Sequence, residues 1–212
     1  MIHQPGWHTY WSNPGDAGMP TRITWQLPAG WRADAIDWPA PVRLPSGPLA
    51  SYGYIGDIVL PVMLFPAPDW HSNPVHLSAR VSWLACSESC IPETLDVELD
   101  LPHADARDEA LLERALLQTP EAFEFRLARA TRHEGRLEIA LEPAGPGEFF
   151  PEEEELIDPG PKPQVHLEGK LWIWSAPLGD RGKRLQPGAH ITGIWVQSNA
   201  RPRRVDAVLE AG

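Results

Sequence analysis

The sequence predicts an all-β protein of two β-sandwich domains joined by a short helical linker. Three observations carry that expectation. The chain holds 24 prolines in 212 residues, a density that breaks it into short segments and favours loop-rich β architecture. Its apolar residues recur mostly at period two, the signature of strands with one buried face. Helical spacing is sustained in one place only, residues 105–118, where Ala106, Ala110, Leu111, Ala115 and Leu117 recur between Arg and Glu residues. Asp105 is placed to cap that segment, and Pro120 follows its end.

The N-terminal 20 residues are rich in Gly, Pro, Trp and His and show no clear period. Ile23, Trp25 and Leu27 alternate with polar neighbours and predict a strand. Residues 38–48 are Pro-rich and are expected to form an ordered loop. Residues 58–65 are a strand candidate, and Pro61 within it points to an edge or a bulge. Val75, Leu77, Ala79, Val81 and Trp83 then alternate with His76, Ser78, Arg80 and Ser82. Leu95, Val97, Leu99 and Leu101 alternate in the same way with Asp96, Glu98 and Asp100. Beyond the helix, residues 123–127, 137–141, 171–174, 191–196 and 205–209 predict further strands, separated by turns such as Glu134-Gly135 and Pro187-Gly188. These short strands predict a second sandwich. The acidic run Glu152 to Glu155 reads as a solvated loop.

Between the two best strands lies the only cysteine pair of the chain, Cys86 and Cys90. Residues i and i+4 on one extended strand are about 13 Å apart at ~3.3 Å per residue. A disulfide needs Cα atoms roughly 4.4–6.8 Å apart, so a bond along one strand is impossible. A helical turn would bring the pair together, but Pro92 and the flanking alternation argue against helix. The spacing therefore predicts two cysteines facing each other at the end of a hairpin with Ser87-Glu88-Ser89 as its loop. Such a pair can be a structural staple, a redox couple or half a metal site. A crosslink around so short a loop contributes less than the roughly 3 kcal/mol expected for fifteen residues, which weighs against a staple.

Other function classes have weaker support. The net charge of −11 opposes nucleic-acid binding, which needs a basic surface. No segment approaches the ~18 apolar residues of a membrane span. Met1-Ile2-His3-Gln4-Pro5-Gly6-Trp7 lacks the basic and apolar regions of a signal peptide, so the chain is expected to be either cytosolic or trimmed. The ten tryptophans are spread over both halves and read as packing rather than as a sugar-binding platform. No Ser/His/Asp triad, phosphate loop or nucleotide fingerprint stands out.

Three segments together resemble one family. They are Pro5-Gly6-Trp7-His8-Thr9-Tyr10-Trp11-Ser12-Asn13-Pro14-Gly15-Asp16-Ala17-Gly18-Met19-Pro20-Thr21, then Trp38-Pro39-Ala40-Pro41 leading to Tyr52-Gly53-Tyr54-Ile55-Gly56-Asp57, and Trp83-Leu84-Ala85-Cys86-Ser87-Glu88-Ser89-Cys90-Ile91-Pro92-Glu93. They are similar to the N-terminal periplasmic region of the DsbD-like thiol:disulfide interchange proteins, especially the ScsB branch (suppressor of copper sensitivity). The resemblance covers most of residues 5–101 and extends more weakly beyond.

The resemblance implies an immunoglobulin-like catalytic domain over residues 1–103, a helical linker over 104–120 and a second immunoglobulin-like sandwich over 121–212, expected to act as a spacer. It implies a protein-disulfide reductase whose catalytic residues Cys86 and Cys90 cycle between dithiol and disulfide with no other cofactor. By analogy, Cys90 attacks and Cys86 resolves. The implied partners are the membrane-embedded and thioredoxin-like domains of a full-length protein, which supply electrons, and oxidised thioredoxin-fold proteins of the periplasm, which receive them. Without those other domains this chain alone would not carry electrons across a membrane. Tyr52, Gly53 and Tyr54 occupy the position of the family's cap loop, an aromatic flap over the cysteines; the alternative is that both tyrosines fill the core. A second function hypothesis is Cu(I) bound by the two thiolates with His71, His76 or Met63. A third is a structural sandwich with a static disulfide. Glu88 and Glu93 near the thiols, with no Lys or Arg in the loop, predict no strong local activation of either sulfur.

Overall fold

The computed structural model describes residues 1–102 and 105–211. Strand makes up 52% of it and helix 8%, in agreement with the all-β expectation. The order is β1 (His8–Gly15), β2 (Arg22–Gln26), β3 (Arg32–Ile36), β4 (Val42–Ser46), β5 (Leu49–Ile55), β6 (Val62–Phe65), β7 (Val75–Cys86), β8 (Cys90–Leu101) and α1 (Ala106–Leu116). It continues with β9 (Leu127–His133), β10 (Arg136–Glu142), β11 (Glu148–Pro151), β12 (Gln164–Glu168), β13 (Leu171–Pro177), α2 (Asp180–Arg184), β14 (His190–Val196) and β15 (Arg203–Leu209).

Two compact units share the chain, and they are interleaved in sequence. The first comprises Met1–Ser12, Met19–Pro39 and Tyr54–Thr119; the second comprises Asn13–Gly18, Ala40–Gly53 and Pro120–Gly212. Strands β1 and β5 therefore each pass from one unit to the other. Helix α1 groups with the first unit, whereas the sequence suggested a linker over 104–120; residues 103 and 104 lie outside the described residues. Its start is as expected, with the Asp105 carboxylate accepting from the Arg107 amide at 2.8 Å.

In the first unit, β7 is the organising strand. Strand β8 pairs with it in antiparallel register from Val75↔Leu101 to Cys86↔Cys90. That occupies one whole edge of β7, so β2 and the start of β1 share the other: Arg22↔Ser82 through Gln26↔Ser78, then His8↔Cys86. The polar face of the hairpin carries the cross-strand ion pairs Arg80–Asp96 at 2.8 Å and His76–Asp100 at 2.7 Å. The opposite face of β7 buries Leu77, Ala79 and Ala85. Strands β3 and β6 form a separate two-stranded ribbon with a bulge between Ala33 and Ile36. Strand β6 starts only after Pro61, because proline lacks the N–H a ladder needs, so the strand expected over 58–65 is shortened to its second half.

In the second unit, seven strands run in the order β11-β14-β15-β9-β10-β13-β12. Both ends of this sheet feed one core. Leu137, Ile139 and Trp174 come from β10 and β13, while Phe149, Ile191, Trp195, Val205 and Leu209 come from β11, β14 and β15. Strand β15 meets β9 in parallel. The strand expected over 123–127 is displaced: β9 begins at Leu127. Phe123 and Phe125 instead pack edge to face at 4.7 Å, and the Arg203 guanidinium lies 3.9 Å over the Phe123 ring. Residues 152–155 form a loop, as their charge suggested. Strand β5 pairs with β4 and with the end of β1. Residues 38–48 are thus not all loop; β4 includes Pro45 within a five-residue strand.

Candidate functional site

The site grows out of the β7–β8 hairpin. Its alternation forces every second side chain to one face, and residues directly opposed across strands share a face. Cys86 and Cys90 are opposed, with Cα atoms 4.1 Å apart, and are joined by a disulfide. The Ser87 amide donates to the Ser89 carbonyl at 3.0 Å and closes the tip. The two cysteines differ in exposure: Cys86 is 2% exposed, whereas Cys90 is exposed.

The pairing places a third group beside them. His8 is in register with Cys86, so Cys90, Cys86 and His8 form a row across three strands on one face. Tyr10, two residues along β1, falls on the same face. Its hydroxyl lies 3.9 Å from the Cys90 sulfur, within hydrogen-bonding reach of sulfur, and 3.2 Å from His8 Nε2. The two rings meet edge to face at 5.2 Å. Burial holds the His8 imidazole below the usual histidine range, and nearby His3 lowers it further. Burial pushes the Tyr10 phenol up. His3 is itself anchored, by Nε2 to the Thr9 hydroxyl at 2.9 Å and by Nδ1 to the Gly56 carbonyl.

Neither His8 nor Tyr10 stood out as a site residue in the sequence. Strand β1 is buried on both faces, with Thr9, Tyr10, Trp11 and Asn13 all inaccessible. A doubly covered strand shows no alternation, so the period-two signal was absent. Once β1 is placed as a strand, His8-x-Tyr10 is the spacing that puts two side chains on one face.

Tyr52, Gly53 and Tyr54, expected as a flap over the cysteines, lie within strand β5. Tyr52 is buried with its ring edge to face against Phe150 at 5.3 Å. Tyr54 is buried and donates its hydroxyl to the Pro39 carbonyl at 2.7 Å. Burial pushes both phenols well above the usual range. In this structure they have the environment of core side chains, the alternative weighed from the sequence.

The suggested copper ligands are dispersed. His76 lies ten residues from Cys86 on β7, about 33 Å at the rise of an extended strand, and its ring is held by Asp100. Met63 is 62% exposed on β6, and His71 is exposed. Among the described residues, no group of three or more His, Cys, Asp or Glu side chains is placed to hold a metal ion.

What the arrangement can do chemically follows from these positions. An exposed cysteine bonded to a buried one suits exchange, in which an external thiol or disulfide meets Cys90 and Cys86 stays within reach to close the ring. No helix among the described residues is long and apolar enough to cross a membrane.

Comparison with known proteins agrees with this geometry. No curated protein matches the chain. The crystal structure of the N-terminal periplasmic domain of ScsB from Proteus mirabilis superposes with a TM-score of 0.77 at 20% sequence identity, covering 100% of this chain and 85% of that one. The family described as thiol:disulfide interchange protein DsbD, N-terminal, matches residues 1–102, the stretch that contains both cysteines, His8 and Tyr10. Residues 1–102, with the disulfide at the hairpin tip, thus match the DsbD N-terminal family, and the chain shares the fold of the ScsB N-terminal periplasmic domain, an arrangement that fits thiol–disulfide exchange.

Proposed function

We propose that the chain is a periplasmic protein-disulfide reductase domain that relays reducing equivalents from a membrane electron-transfer domain to oxidised partner proteins. The observation that carries this is the asymmetry of the pair: Cys90 open to solvent, Cys86 2% exposed, both at the tip of a hairpin in a DsbD-type domain. In the reduced protein, the Cys90 thiolate attacks a partner disulfide. The partner's S–S bond breaks, and its leaving sulfur takes the electron pair and then a proton. Cys86, as thiolate, next attacks the Cys90 sulfur of the mixed disulfide. The Cys86–Cys90 bond forms and the partner departs with its second thiol, so two electrons and two protons have moved to it. The electron donor in this scheme is a thioredoxin-like domain, and the acceptors are thioredoxin-fold proteins. A periplasmic setting is supported by the named location of the ScsB domain that shares the fold. Residues 121–212 serve in this scheme as a spacer.

Equilibration with glutathione, with free thiols counted by mass spectrometry, tests the proposal. A reversible couple between about −200 and −270 mV, the range of glutaredoxins and thioredoxin, is expected. A value below about −300 mV, typical of structural disulfides, overturns it. Cys86→Ser, which leaves Cys90 free, is expected to trap partners as mixed disulfides, and Cys90→Ser is not.

A further inference from the structure

The exchange just proposed needs somewhere for the Cys90 proton to go, and among the described residues no side chain of the hairpin loop makes a hydrogen-bonding contact with either sulfur. Ser87, Glu88 and Ser89 include no cation that would favour a thiolate, and Glu93 beyond them is acidic. The only side chain among the described residues with a hydrogen-bonding contact to either sulfur is Tyr10, at 3.9 Å from Cys90. A phenol whose burial keeps it protonated is no base by itself. It can, however, pass a proton on, because its oxygen accepts while its O–H donates. The group at its other side is His8 Nε2, at 3.2 Å.

We propose that His8, acting through Tyr10, exchanges the proton of Cys90 and so sets its reactivity with pH. In the forward direction the Cys90 S–H gives its proton to the Tyr10 oxygen, and the Tyr10 O–H gives its own to His8 Nε2. Cys90 becomes a thiolate, His8 an imidazolium, and Tyr10 is unchanged; no electrons move and charge is conserved. In that state Nε2–H donates to Tyr10 and Tyr10 donates to the sulfur, so the positive charge reaches the thiolate through one oriented hydroxyl. Tyr10 touches the reacting atom, whereas His8 positions and polarises it.

Among the described residues, the ionisable groups that face His8 are Tyr10 on its own strand, the cysteine pair with which it is in register, and His3 from the N-terminal segment. His3 discourages a charge on His8. A thiolate at Cys90 encourages it. His8 and Cys90 therefore titrate as a coupled pair, whose two steps belong to both groups. In the disulfide form the sulfur carries no proton, so that coupling is absent and burial alone, with His3, disfavours a charge on His8.

This inference deepens the exchange reading, and it is tested without any partner. In the reduced Cys86→Ala protein, the iodoacetamide alkylation rate of Cys90 is followed against pH. A profile with two steps is expected. His8→Phe should leave one step at higher pH and slow alkylation near neutrality by roughly threefold or more, the effect of a unit charge several ångströms away in a partly screened site. Tyr10→Phe should do the same, and the double variant should be no slower than either single one. His8→Gln, which keeps a hydrogen-bonding side chain, should also lose the lower step, separating titration from packing. Superimposable profiles, or additive effects of His8→Phe and Tyr10→Phe, overturn the relay. A second readout is the His8 ring titration by NMR, which should move when Cys90 is replaced by Ala in the same background; an unmoved titration overturns it too. A disulfide potential below about −300 mV would sink the exchange function yet leave this coupling measurable, so the two failures are distinguishable.

Discussion

Cys86 and Cys90 are the same residue type four positions apart, and their surroundings alone give them different work. After reduction, Cys90 is expected to be alkylated well before Cys86, because only the former meets solvent; peptide mapping after a short alkylation pulse checks this, and the reverse order would contradict the assignment of attacking and resolving sulfurs. Tyr54 shows the same dependence on context. Its hydroxyl satisfies the buried Pro39 carbonyl at 2.7 Å, so Tyr54→Phe should cost about 1–3 kcal/mol, the usual penalty for stranding a buried acceptor, read as a lowered urea midpoint. Glu148 gives a pH-dependent case. Burial raises its pKa, with Arg43 and Lys162 partly offsetting the rise. A carboxyl whose folded pKa exceeds its unfolded value adds stability below the unfolded pKa, and that stability is lost as pH rises through the folded value. Glu148→Gln should therefore gain stability relative to the parent at pH 7, and the gain should fade toward pH 4. Urea unfolding at the two pH values measures it, and an equal effect at both would refute the burial argument.

Among the elements, the β7–β8 hairpin and helix α1 were legible in advance, whereas β1, β4 and β5 were not. The hairpin has one apolar and one polar face along most of its length, so each strand alternates. Even its register is visible afterwards in the opposed pairs Arg80↔Asp96 and His76↔Asp100. Strands β1 and β5 are largely covered on both sides, which erases the pattern, and proline in and around β4 imitates a loop. This also explains the fate of Tyr52-Gly53-Tyr54: a motif that reads as a flexible aromatic flap is instead a covered strand segment. Two substitutions probe these elements. Leu77 is 0% exposed on β7, and Leu77→Ala should cost about 2–5 kcal/mol by loosening the sheet that presents the cysteines. Gly15 ends β1 at φ +80°, and a Cβ there would stand 2.7 Å from the Ala50 carbonyl oxygen. Gly15→Ala should destabilise by more than about 1 kcal/mol, where a surface glycine with open space would tolerate alanine better. Chemical denaturation of both variants against the parent is the check.

For the whole molecule, the chief departure from the sequence is how the units divide the chain. Splitting between residues 103 and 121 looks natural because helix and composition change there. Yet the second unit draws on Ala40–Gly53 and on Asn13–Gly18. Asn13 donates to the Pro151 carbonyl at 2.8 Å, Arg43 to the Pro159 carbonyl at 2.7 Å, and Tyr52 packs on Phe150. Residues 120–212 expressed alone would lack all of these partners. That fragment should unfold at a lower temperature than the intact chain and more cooperatively regain stability when residues 13–53 are restored by fusion; a fragment as stable as the whole would show that the borrowed strands contribute little.

By itself the sequence determined the all-β class, the hairpin, its facing cysteines and the resemblance of residues 5–101 to DsbD-type domains. These depend on local patterns: period-two alternation, proline placement and the spacing of a few rare residues. The tertiary structure alone decided which cysteine is exposed, where the borrowed strands go, and that His8 and Tyr10 stand beside the sulfur. Those facts arise from pairing between segments about 80 residues apart, as Tyr10 and Cys90 are. Register between distant strands is set by burial on both faces of a sheet, and no local period records it.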